Sequence, residues 1–204
     1  MRLILASASP RRAELLRSAG YAFEVVVADV DESIRPGETP STYVLRLAAD
    51  KSAAAQAQVM SGFSRTGDGP PGGGHDQEVI LGADTTVVVD GAILGKPRDD
   101  EDGRAMLQRL SGTAHQVLTG VSLRHSAYEV GRVETTSVTF RVLTDEDIAW
   151  YLASGEGRDK AGGYAIQGLA SRFIPGIAGS YSNVVGLPMA CVDELLRSLL
   201  ASQL

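Results

Sequence analysis

Two residues, Asp90-Gly91, constrain this chain more than any others. They stand between the apolar run 79–89 and Ala92-Ile93-Leu94. Asp-Gly between strand-forming residues is a strong two-residue hairpin signal, because both turn positions need a positive φ. A strand therefore covers about 79–89 and folds back on itself. This register sets Thr85 opposite Lys96 and Asp84 opposite Pro97, so Lys96 is expected beside Asp84, at a strand end. A chain built on such a hairpin is not a regular doubly wound parallel sheet.

The remaining elements fit an α/β protein with long antiparallel hairpins. Residues 2–6 read as a strand with no cleavage site behind it. Ser9-Pro10 then opens a helix to about Ser18, ended by Gly20, with Ser9 as N-cap. A second strand is expected near 22–27. Thr39-Pro40 opens a helix to about Met60, with Tyr43, Val44, Leu47 and Ala48 at helical spacing. A helix at about 99–110 begins in the acidic run from Asp99. Strands follow near 114–124 and 129–142, and Thr144 caps a further helix. A short strand is expected near 163–167, and the last helix begins after Pro188. No internal repeat is visible.

Residues 61–78 carry five glycines and two prolines within 67–74. They predict a mobile surface loop whose shortening costs little. A phosphate-binding loop would need the Lys-Ser/Thr ending that is missing here.

Composition excludes several classes. The 204 residues, 44% hydrophobic, suffice for one domain with a sizeable core, with room for two lobes. No apolar run approaches the roughly 20 residues of a membrane span. Cys191 is the only cysteine, and His75, His115 and His125 have no ligand-like spacing. Disulfides, thiolate zinc and a histidine metal site are therefore not expected, and a reducing cytoplasm fits best. The net charge of −6 argues against nucleic acid as a partner. Any anionic ligand must be held by a local cluster of cations.

Four stretches could supply that cluster. In Ser7-Ala8-Ser9-Pro10-Arg11-Arg12 a strand gives way to a helix whose free N–H groups favour an anion. Arg11 and Arg12 fall in the first turn, where a cation is unfavourable unless an anion is bound; pointing both to water would cost only tenths of a kcal/mol. In Gly82-Ala83-Asp84-Thr85-Thr86, a carboxylate beside Lys96 could hold a metal or activate water, or simply form a salt bridge. Lys51 continues the Tyr43–Leu47 stripe, either as a snorkelling side chain or as a phosphate ligand with Glu32 nearby as a metal ligand. In DKAGGYAIQG, residues 159–168, the Gln167 amide offers a donor and an acceptor together, as reading a base edge requires. Composition alone would make it, and the following GSYSN, a surface loop.

Taken together, LILASASPRRAELL, LGADTTVVVDGAILGKP, DKAGGYAIQG and GSYSNVVGLP resemble the Maf family in order and spacing. The resemblance covers nearly the whole chain except 61–78. It implies a single Maf-like domain over 1–204 with a Maf/ITPase-like α/β fold: a strongly twisted mixed sheet, flanking helices and a cleft between two lobes. It implies nucleoside-triphosphate pyrophosphatase activity on dTTP and UTP, a homodimer, and Mg²⁺ or Mn²⁺ held between Glu32, Asp84 and phosphate oxygens. By match to the family's motifs Asp84 is the proton acceptor. Arg11, Thr85 and Gln167 fall on specificity positions, and Ser7, Arg12, Glu32, Lys51, Lys96 and Lys160 on polar positions of the cleft. The alternatives are the 7-methyl-GTP branch, which usually carries Glu where Gln167 stands, and a non-enzymatic nucleotide-binding regulator of cell division.

Overall fold

The structure, a computed structural model, describes residues 1–63 and 78–201. The elements run β1 (Arg2–Ala6), α1 (Pro10–Ser18), β2 (Phe23–Val25), α2 (Pro40–Phe63), β3 (Glu78–Val89) and β4 (Ala92–Leu94). There follow α3 (Asp100–Leu110), β5 (Ala114–His125), β6 (Tyr128–Thr139), α4 (Asp145–Ser154), β7 (Gly176–Ala178), α5 (Tyr181–Val185) and α6 (Met189–Ala201). The strands form one mixed seven-stranded sheet in the order β2-β1-β3-β5-β6-β7, with β4 on β3. β1 is parallel to both β2 and β3, whereas β4 and β7 pair antiparallel. Among the described residues no helix is long and apolar enough to cross a membrane.

The hairpin forms as expected. Asp90 and Gly91 take φ of 49° and 74°, and Val87 pairs with Leu94, Val88 with Ile93 and Val89 with Ala92. The ladder stops there, because β4 ends at Leu94. Lys96 lies exposed in the segment beyond it.

Other expectations need correction. The strand expected near 163–167 is absent. A 3-10 turn occupies Ala161–Gly163, with φ of 71° at Gly162 and 70° at Gly163, values no strand tolerates. Ser9 stands at the N-cap of α1 but its hydroxyl makes no cap; instead its N–H donates to Ser7 Oγ at 3.2 Å. The expected loop at 61–78 begins later, since α2 continues to Phe63, and Glu78 already belongs to β3. The rest of that stretch, 64–77, lies outside the described residues. GSYSN, legible only as polar loop, contains the start of α5 and a fully buried Asn183.

The chain divides into two compact units. The first comprises 1–84, 120–133 and 189–204. Its core includes Ile4, Ala6, Ala55 and Ile80, covered by Val26, Ala28 and Val59. The second comprises 85–119 and 134–188. Its core gathers Leu107, Leu110, Val138, Phe140, Tyr151, Tyr164 and Phe173, with edge-on ring contacts such as Phe140–Tyr164 at 4.9 Å.

Candidate active site

The first unit builds its site beyond the carboxyl end of β1, the side on which open α/β sheets bind ligands, while the parallel strand β3 runs on past it. Ala6, the last residue of β1, pairs with Gly82 of β3. Gly82 is required by packing. A Cβ there would stand 2.1 Å from the Ala48 carbonyl oxygen, so α2 rests its backbone directly on the strand. Gly120 of β5 takes the same helix at Val44, where a Cβ would come within 2.2 Å of the carbonyl oxygen. Side chains two apart on a strand share a face. Asp84 therefore faces α2 as Gly82 does, and Lys51, one turn beyond Ala48, reaches it.

The result is a cation held between two carboxylates. Lys51 Nζ lies 2.7 Å from Asp84 Oδ1 and 2.7 Å from Glu32 Oε1. Lys51 and Asp84 are both almost enclosed, each side chain 12% exposed. The loop bearing Glu32 is fixed from the same helix. Tyr43 Oη donates to the Glu32 carbonyl at 3.0 Å, and Arg46 donates to the Ser33 carbonyl at 3.0 Å and to Glu38 Oε1 at 2.6 Å.

Arg12 completes the cluster. It is buried, and its Nη1 donates to Ser7 Oγ at 3.1 Å. Burial lowers the guanidinium from its ordinary value, while Asp84 and Glu32 raise it again and Arg11 lowers it. Tyr43 feels the same field: burial first, then Asp84 and Glu32, push its phenol up to about 12. A buried arginine and a bridged lysine facing two carboxylates form a polarised site for a charged ligand.

The structure thus brings Ser7, Arg12, Glu32, Lys51 and Asp84 together. Within its own unit Asp84 is paired with Lys51, which α2 delivers, while the β4 ladder from which Lys96 was expected ends at Leu94. In the second unit, Thr85 Oγ1 lies 2.9 Å from Thr119 Oγ1 and donates to the Gly186 carbonyl at 3.3 Å. Lys160 pairs with Asp159, and Gln167 is exposed. Arg11 is half-buried in α1. Sequence reasoning took Tyr43 only as part of an apolar stripe and passed over Arg46. Their spacing before Lys51 on one helix was the available signal.

Two carboxylates meeting at one ammonium suit a Mg²⁺-like ion, which binds one or two carboxylates and completes its shell with substrate phosphates. Among the described residues no group of three or more His, Cys, Asp or Glu forms a closed metal cage.

Two cations and two carboxylates, clustered on a mixed α/β sheet beside the end of β1, make a site of the class that takes charged, phosphate-bearing ligands. The chain belongs to the Maf family, described as Maf-like protein, which it matches over residues 2–199. It is 50% identical over 201 residues to a dTTP/UTP pyrophosphatase of Anaeromyxobacter sp. (strain Fw109-5), covering 96% of this chain and 88% of that one. It is 47% identical over 196 residues to a dTTP/UTP pyrophosphatase of Escherichia coli O157:H7, covering 96% and 92%. Among solved structures it is similar to the Staphylococcus aureus Ham1 protein, with a TM-score of 0.44 and 16% identity over 69% of this chain and 72% of that one.

Proposed function

We propose that this protein is a nucleoside-triphosphate pyrophosphatase that hydrolyses dTTP and UTP to the monophosphate and pyrophosphate. The observation that carries the chemistry is Lys51 Nζ, 2.7 Å from both Asp84 and Glu32. Relatives half identical over nearly the whole chain, named for dTTP and UTP, support the substrate. Asp84 accepts the proton of a water that attacks the α-phosphorus. The bond between the α-phosphorus and the bridging oxygen breaks, and pyrophosphate leaves. Arg12 and Lys51 offset the charge that grows on the phosphate oxygens. Glu32 and Asp84 would hold a divalent metal, which polarises the phosphoryl oxygens when bound. Lys96 belongs with Lys51 to the catalytic group, Ser7, Arg11, Thr85 and Lys160 contribute to substrate binding, and Gln167 reads the base. A homodimer in the cytoplasm belongs to the same reading.

The test is direct. Purified protein with Mg²⁺ or Mn²⁺ should release pyrophosphate, not single phosphate, from dTTP and UTP, and a chelator should stop it. No turnover across all nucleoside triphosphates would refute the reading. Light scattering of the purified protein reads the dimer.

A further inference from the structure

Around Gln167 the second unit holds its backbone in an unusual way. Glu156, just past the end of α4, accepts the N–H of Leu169 on Oε2 at 2.9 Å and that of Ala170 on Oε1 at 3.4 Å. The same Oε1 accepts Tyr151 Oη at 3.0 Å. Tyr151, fully buried, in turn accepts the N–H of Ala165 at 3.2 Å. One carboxylate–phenol pair therefore fastens the chain two residues before Gln167 and two and three residues after it. Gly168 completes the fit: a Cβ there would stand 2.1 Å from Glu156 Oε2. Gly157 is equally constrained, its Cβ direction ending 2.0 Å from the Gly163 carbonyl oxygen. The carboxylate accepts charge-assisted bonds from backbone, which hold geometry better than neutral ones.

We infer that Glu156, acting with Tyr151, is a positioning residue for base selection, fixing the backbone on both sides of Gln167 so that its amide stands at one height. This rests on the pyrimidine-nucleotide reading above. A donor–acceptor pair discriminates between bases only while it is held still, since a mobile amide would let other edges find a partner. Glu156 takes no part in the chemistry at phosphorus.

A double-mutant cycle tests it, with kcat and KM measured on dTTP and dCTP for wild type, Glu156→Ala, Gln167→Ala and the pair. Glu156→Ala should raise KM for dTTP about tenfold, leave kcat nearly unchanged and lower the preference for dTTP over dCTP. The double variant should be no worse than Gln167→Ala. Glu156→Gln, which keeps one carbonyl for the Leu169 N–H, should recover part of the preference. Additive losses in the pair, or equal losses on both nucleotides, would overturn the assignment. If Glu156→Ala does not fold, Tyr151→Phe decides: amide exchange at Ala165 should speed up and the dTTP preference fall, and neither change would refute the role. Wild-type protein inactive on dTTP would remove the parent reading, and this one with it, before any variant is compared.

Discussion

Asp84 shows what one residue can be asked to do twice. In the proposed reaction it is the proton acceptor, and as the partner of Lys51 it serves the fold. A carboxylate at a strand end could be removed without cost, but Asp84 lies inside β3, is buried, and faces Lys51 and the field of Arg12. Asp84→Ala should therefore abolish dTTP turnover and also lower stability by about 1–3 kcal/mol, because Lys51 loses one of its two carboxylates and buried Arg12 loses a nearby negative charge. Denaturant titration reads the second effect, and an unchanged midpoint would show that the ion pair contributes nothing net. Gln167 carries a different prediction. Its amide can accept from the N3–H of uracil or thymine and donate to a ring carbonyl, whereas an ionised carboxylate only accepts. Gln167 is exposed, so its penalty arises when a base covers it. Gln167→Glu should lower kcat/KM for dTTP and UTP roughly ten- to hundredfold, with guanine nucleotides spared. Equal loss on every nucleotide would mean that the residue serves the phosphates or the fold.

At the scale of elements, α2 is the organiser. Its backbone rests on two glycines, its Tyr43 and Arg46 pin the Glu32 loop, and its Lys51 reaches Asp84. The close approach cannot be relaxed locally, because the obstructing atoms are backbone. Gly82→Ala should displace α2 and carry Lys51 away from Asp84. Cores overpacked in this way lose about 1–3 kcal/mol or more. Both the melting temperature and dTTP turnover should fall, whereas Gly95→Ala, where a Cβ meets nothing within 4 Å, should change neither much. A variant at Gly82 as stable and active as wild type would show that α2 does not need this contact.

For the whole molecule, acid sensitivity should be set first by one histidine. His115 is buried against Phe140 and Tyr164, with Nε2 2.8 Å from Tyr164 Oη. Burial pulls its pKa down to about 4 from the usual 6.5. The unfolded chain then binds a proton that the folded one refuses, so stability is full above about pH 6.5 and is lost as pH falls toward 4. The loss approaches about 3 kcal/mol. Carboxylates held low by arginine, such as Glu38 by Arg46 down to about 2, lose their contribution only further into acid. Thermal melts at pH 7 and pH 5 should differ, and His115→Gln should shrink that difference; an equal difference in both would rule His115 out.

The sequence by itself determined the elements whose signals are local. The Asp90-Gly91 turn and its register, the start of α1 at Pro10, the Thr144 cap and the stripe of α2 all depend on residues a few positions apart. It also offered Arg12, Glu32, Lys51 and Asp84 as residue types that suit phosphate chemistry, while Ser7 came with the resemblance to the Maf family. What it could not rank was their partnership. The hairpin pointed to Lys96, whereas the ion pair that Asp84 makes within its own unit is with Lys51, 33 residues back. That choice follows from α2 seating its carbonyls on Gly82 and Gly120, a contact between segments distant in sequence. The same holds for Glu156, silent in the sequence, which gains its place only once Tyr151, Leu169 and Ala170 converge on it. Local propensity fixes elements; only packing between them decides which charges meet.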